Sequence, residues 1–151
     1  MNVKLVMLQA YELFGGYAYM PYALAMKAAL GYGENSVASA AICSAGGHEV
    51  ADTESADIVL VVVERCPCCA GGAKTTVRDY INRGARVVTV CPLPGVDTQG
   101  EKYDFHMEER ISFDDPKHPD RQQRDLAEGK AAITPELWRT RVIEGIAKAL
   151  A

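Results

Sequence analysis

The sequence predicts an α/β fold: a small parallel sheet of about four or five strands, in three layers, with helices on both faces. Three observations carry this expectation. Ile58 to Val63 is an unbroken aliphatic run, mostly β-branched, as in a strand covered on both faces. Val87 to Val90 repeats the pattern. Between them lies a helical stretch from about Gly72 to Asn82, which buries Val77, Tyr80 and Ile81 and stops at Gly84. A strand, helix and strand of this length form a parallel, right-handed βαβ unit, and such sheets bind ligands beyond the carboxyl ends of their strands.

The 151 residues amount to one α/β domain, 1–151, long enough to bury about two-thirds of the surface the unfolded chain exposes. With 48% hydrophobic and 24% charged residues, the composition is that of a globular protein. A net charge of -4 gives no basic footprint for nucleic acid. No apolar run approaches the roughly 18 residues of a membrane span. The start, MNVKLVMLQAYE, passes from one lysine into a strand pattern with no apolar leader core or cleavage site, so the expected location is cytoplasmic.

In chain order, Val3 to Leu8 reads as the first strand and the natural centre of the sheet. An aromatic loop follows, with Tyr11, Phe14, Tyr17, Tyr19 and Tyr22 around Gly15-Gly16. Pro21 suits the first turn of a helix running to Leu30. Ser36 caps a second helix, Val37 to Ser44, closed by Gly46-Gly47; a strand over Val37 to Cys43 is the alternative, disfavoured by the Ala and Ser content. A short strand at His48 to Val50 and a polar connection, with Asp52 or Thr53 capping a turn, lead into the Ile58 strand. From 95 to 132 the chain is a charged excursion, read as a partly ordered flap with apolar purchase from Phe105, Met107, Ile111 and Phe113. Two prolines in DDPKHPDRQQRD exclude a regular helix across that stretch. The terminal helix spans 134–150: Thr134 caps it, Pro135 takes the first position, and Trp138, Val142, Ile146 and Leu150 recur at helical spacing. Trp138 is also a candidate dimer contact, and the aromatic and apolar surplus admits a homo-oligomer.

Five cysteines are present, three of them within four positions. Cysteines so close cannot staple distant loops, which leaves reduced thiols, metal ligands or redox groups. Cys66, Cys68 and Cys69 leave one strand's carboxyl end and Cys91 leaves another, with Cys43 as a spare. Together Cys66, Cys68, Cys69 and Cys91 form a candidate four-thiolate site for zinc or an iron–sulfur cluster. Paired ligands in structural zinc sites are usually spaced by two to four residues, and the adjacent Cys68 and Cys69 point apart on an extended chain. Some of these cysteines can instead be small buried hydrophobes. In a redox version Cys68 or Cys69 attacks, activated by the helix amino end and by Lys74, and a neighbour resolves.

The segment from Cys68 to Lys74, C-C-A-G-G-A-K, places a cysteine and a cation six residues apart between strand and helix. It resembles the anion-cradling loop of the cysteine-dependent phosphatases and arsenate reductases. Lys74 stands where those enzymes carry arginine, and its ammonium makes no bidentate fork. The run GGAKTT is also similar to a nucleotide phosphate loop without its first glycine. The amides of Gly71 and Gly72, with Lys74 and Thr75, form a candidate site for a small anionic or nucleotide-like ligand, over which Tyr17 and its aromatic neighbours can stack a planar ring. The bland reading is a glycine-rich helix start with Lys74 in solvent.

The pattern GHEVADTESADIVLVVV, Gly47 to Val63, resembles the nucleoside deoxyribosyltransferase-like and related Rossmann-like and flavodoxin-like folds. Those enzymes set a nucleophilic glutamate in the helix after this strand. Here Lys74, Thr75 and Thr76 occupy that region and the first helical acid is Asp79, so the likeness carries fold alone. Among the histidines, His106 is the better candidate to reach over the pocket, with Glu108 or Glu109 nearby. The leading functional expectation is a cysteine site at the carboxyl edge of the sheet, for metal or cluster ligation or thiol redox. The alternatives are a nucleotide or phosphorylated-metabolite enzyme, or a non-catalytic assembly subunit whose excursion docks a partner.

Overall fold

The computed structural model of the chain describes residues 1–9, 30–31, 33–51, 55–64, 77–92, 102–107, 111–113, 119–129 and 131–151. Among them are the strands β1 (Asn2–Gln9), β2 (His48–Glu49), β3 (Ile58–Glu64), β4 (Arg86–Cys91), β5 (Phe105–His106), β6 (Ile111–Phe113) and β7 (Ala131–Ile133). The helices are α1 (Val37–Ser44), α2 (Arg78–Asn82), α3 (Pro119–Ala127) and α4 (Pro135–Leu150). Five strands form one sheet in the order β2-β1-β3-β4-β5, every pairing parallel. That is the doubly wound, flavodoxin-like order, whose topological switch point lies between β1 and β3.

The centre of the sheet is β3, not β1. Lys4 and Gln9 give β1 polar character, and its Leu5, Val6 and Met7 are only half-buried, whereas Ile58 to Val63 of β3 are all buried. Side chains alternate across a strand, so both layers are built from one run. Ile58, Leu60 and Val62 pack with Val88 and Val90 of β4 against Ala38, Ala41 and Ile42 of α1 and Trp138, Val142, Ile146 and Leu150 of α4. Val59, Val61 and Val63 pack on the other side against Val77 and Tyr80.

Local signals explain the helices. The Ser36 hydroxyl accepts from the Ser39 amide at 3.1 Å and starts α1, so the helix wins over the alternative strand. Gly84, at φ +86°, ends the turn after α2 in a conformation that costs glycine little. Ile81 is 52% exposed, not buried: Val77 and Tyr80 define the inward stripe, and the next residue turns about 100° away from it. α2 starts at Arg78, with Val77 as its cap residue and no side-chain cap bond, six residues later than the expected start at Gly72. The segment 71–76 lies outside the described residues, as do the helix expected from Pro21 up to residue 29 and the caps at Asp52 and Thr53.

The charged excursion holds a helix after all. Pro119 is the first residue of α3, a position that needs no amide donor, and Asp120 and Arg124 complement the helix dipole at its two ends. On either side of α3, β6 and β7 pair in parallel as a separate two-stranded sheet.

On α4, Thr134 accepts from the Leu137 amide at 3.2 Å, with Pro135 in the first turn, as its sequence dictates. Trp138 is fully buried beneath α4, so it serves the core and not a dimer contact. Arg139 donates to the carbonyls of Asn35 (2.6 Å) and Leu30 (3.4 Å), tying the chain ahead of α1 to the terminal helix. None of the helices described is long and apolar enough to cross a membrane.

Ile146→Ala removes a fully buried side chain of the α4 stripe and is expected to cost about 2–5 kcal/mol in urea unfolding. Ile81→Ala, at its exposed position, should stay within about 0.5 kcal/mol. Equal effects at the two positions would contradict this division of the helices into inward and outward faces.

Candidate functional site

Because every pairing in the main sheet is parallel, all five strands present their carboxyl ends along one edge. The last residues of β1 and β3, Gln9 and Glu64, are register partners at the switch point. Cys91 ends β4 and is fully buried. Its register partner on β5 is His106, which is half-buried.

Although β5 has only two residues, its position is fixed from both sides. Asp104 brackets Thr89: its amide donates to the Thr89 carbonyl at 2.8 Å and its carboxylate accepts from the Thr89 amide at 2.8 Å. One step beyond, the Met107 amide donates to the Cys91 carbonyl at 3.1 Å. The Tyr103 ring stacks on the His106 imidazole, with centroids 5.9 Å apart and planes at 30°. The backbone thus sets Cys91 and His106 side by side.

Beside this pair, a cleft of about 360 Å³ opens between β5 and α4. Phe105, His106 and Met107 form one wall, and Arg141, Glu144, Gly145 and Lys148 of α4 form the other. Gly145 is what allows the two elements to meet, since a Cβ there would overlap the Phe105 ring. The α4 wall is absent from the sequence-level site. A glycine in the middle of a 16-residue helix was its signal, because such glycines usually have a packing reason.

Of the candidate site residues, Cys91, the spare Cys43 and the histidine candidate His106 fall within the described part of the chain. Cys66, Cys68, Cys69, Gly71, Gly72, Lys74, Thr75 and Tyr17 lie outside it, as do Glu108 and Glu109. Cys43 is described and does not join Cys91. It is exposed on the last turn of α1, which leads through Gly46 and Gly47 to the amino end of β2, at the opposite edge of the sheet. Among the described residues, no three of His, Cys, Asp or Glu are gathered as a metal-binding group. Comparison with protein-family models, with curated proteins and with solved structures finds no match in any of the three.

Gly145→Ala should destabilise the protein by about 1–3 kcal/mol, the cost of overpacking against Phe105, although alanine is the better helix former by about 1 kcal/mol. In a Phe105→Leu background the same substitution should become neutral or stabilising. A double-mutant cycle in denaturant measures the coupling, and additive effects would refute the contact.

Proposed function

We propose that this protein is a cysteine-site protein, in which Cys91 and the cysteines of the C-P-C-C turn hold a metal ion or an iron–sulfur cluster at the carboxyl edge of the sheet. The observation that carries the reading is the strand order. Cys66 follows the last residue of β3 by two positions, and β3 lies between the switch point and β4, the strand that ends on Cys91. Two residues of chain reach at most about 7 Å, so the turn begins close to the edge that Cys91 occupies.

The burial of Cys91 favours ligation over thiol exchange. A sulfur with no exposed surface is closed to a disulfide substrate, whereas structural metal sites are shielded from solvent in just this way. Thiolates suit zinc and iron–sulfur clusters, the first tying strand ends together, the second carrying electrons. The redox alternative keeps Cys68 or Cys69 as the attacking thiol and does not need Cys91.

A second reading draws on the same strand order. In flavodoxin-like sheets the switch point receives a phosphorylated planar ligand, and here β1 leads into the tyrosine loop and β3 toward Gly71, Gly72 and Lys74. Under that reading the protein binds a nucleotide-like anion, with Tyr17 against the ring and Thr75 and Lys74 near the phosphate.

Protein purified without oxygen decides between them. Zinc and iron analysis, an absorption spectrum and a thiol count on one sample should give near-stoichiometric metal that is lost in Cys69→Ser and Cys91→Ser. Metal-free protein with all five thiols titrating normally would reject ligation. Nucleotide binding abolished by Lys74→Ala would then establish the second reading.

A further inference from the structure

We infer that β5 is a strap latched by Asp104: it opens as a local unit, apart from unfolding of the whole chain, and each opening uncovers the buried thiol of Cys91. The inference stands whether or not an ion is held at this edge. The seams of the main sheet differ in extent. β1 and β3 share seven register positions and β3 and β4 share five, whereas the edge seams, β1 with β2 and β4 with β5, have two each. Local openings in native proteins need the least free energy where few paired and buried groups have to part. Phe105 and His106 of β5 are half-buried, while Ile58 to Val63 of β3 are all buried. An edge strand is therefore the first part of this sheet to leave, and β5 is the one that flanks a buried thiol, since His106 is the register partner of Cys91.

Bonds on either side of its two register pairs keep this short seam shut. Ahead of them, Asp104 stands in for a further strand residue, with its amide on the Thr89 carbonyl and its carboxylate accepting from the Thr89 amide, both at 2.8 Å. Beyond them, the Met107 amide donates to the Cys91 carbonyl at 3.1 Å, and the Met107 side chain is buried in the same apolar cluster as Cys91. Asp104 is exposed, so its carboxylate bond can break without cutting into the core. With β5 seated, Cys91 has no exposed surface. With β5 lifted, β4 becomes the edge of the sheet and Cys91 loses its neighbour on that side.

Native-state hydrogen exchange of the full chain, over a series of sub-denaturing urea concentrations, tests the strap. The Met107 amide should exchange at least about a hundredfold faster than those of Val61 and Val62 on β3, and with little dependence on urea, because a local opening exposes little surface. Asp104→Ala should speed Met107 exchange about three- to tenfold, the effect of losing one hydrogen bond, and leave β3 unchanged. Asp104→Asn, which keeps an acceptor for the Thr89 amide, should stay closer to wild type. In reduced, chelator-treated protein, iodoacetamide labelling of Cys91, resolved by peptide mass spectrometry, should accelerate in Asp104→Ala by the same factor, while labelling of Cys43 at the opposite edge stays constant. Met107 exchange with the urea dependence of β3 would overturn the strap, and wild-type protein alone decides this if the alanine variant does not fold. Wild-type exchange at Met107 in a folded Asp104→Ala variant would overturn the latch. Faster Met107 exchange with unchanged Cys91 labelling would overturn the uncovering of the thiol.

Discussion

The six aliphatic side chains from Ile58 to Val63 are the constraint on which the rest of this molecule depends. They leave no polar face, so β3 must be covered above and below. One set of three calls for α1 and α4, the other for Val77 and α2. A strand so covered sits in the middle of a sheet, and its covers are carried by crossovers between parallel strands, α1 between β1 and β2 and α2 between β3 and β4. From that one segment come the three layers and the alignment of every carboxyl end along one edge.

That alignment is also what gives the cysteines meaning. Cysteines scattered over a chain are unremarkable small hydrophobes. Here Cys91 stands on the strand next to the one that feeds C-P-C-C, and the switch point is one strand further on. The chemistry proposed for this edge depends on strand order as much as on residue type.

Much of the fold was legible because its signals are local. A capping serine, a threonine followed by proline, and an apolar residue at every turn announce α1 and α4 without reference to anything distant. The strands that escaped are short ones, β5 at two residues and β6 and β7 at three, where no period can be counted and pairing alone defines the element. The same limit applied to β1, which looked central because a run of apolar residues says nothing about which neighbours it has. Trp138 shows a different limit: a large aromatic near a helix start reads equally as core or interface, and only the depth of the sheet beneath α4 decides. The pairing of Cys91 with His106 was out of reach for the same reason as β5. It is a register across fifteen positions, held by an aspartate that imitates a neighbouring strand.

Cys43 shows what the two-ended character of the sheet makes available. Its exposed thiol sits at the amino edge, and Cys91 at the far end of a six-residue strand, roughly 20 Å of backbone away. When the other sulfurs are occupied by a bound ion, Cys43 becomes the natural handle for a fluorophore. Events at the carboxyl edge could then be followed optically from a label that does not touch them.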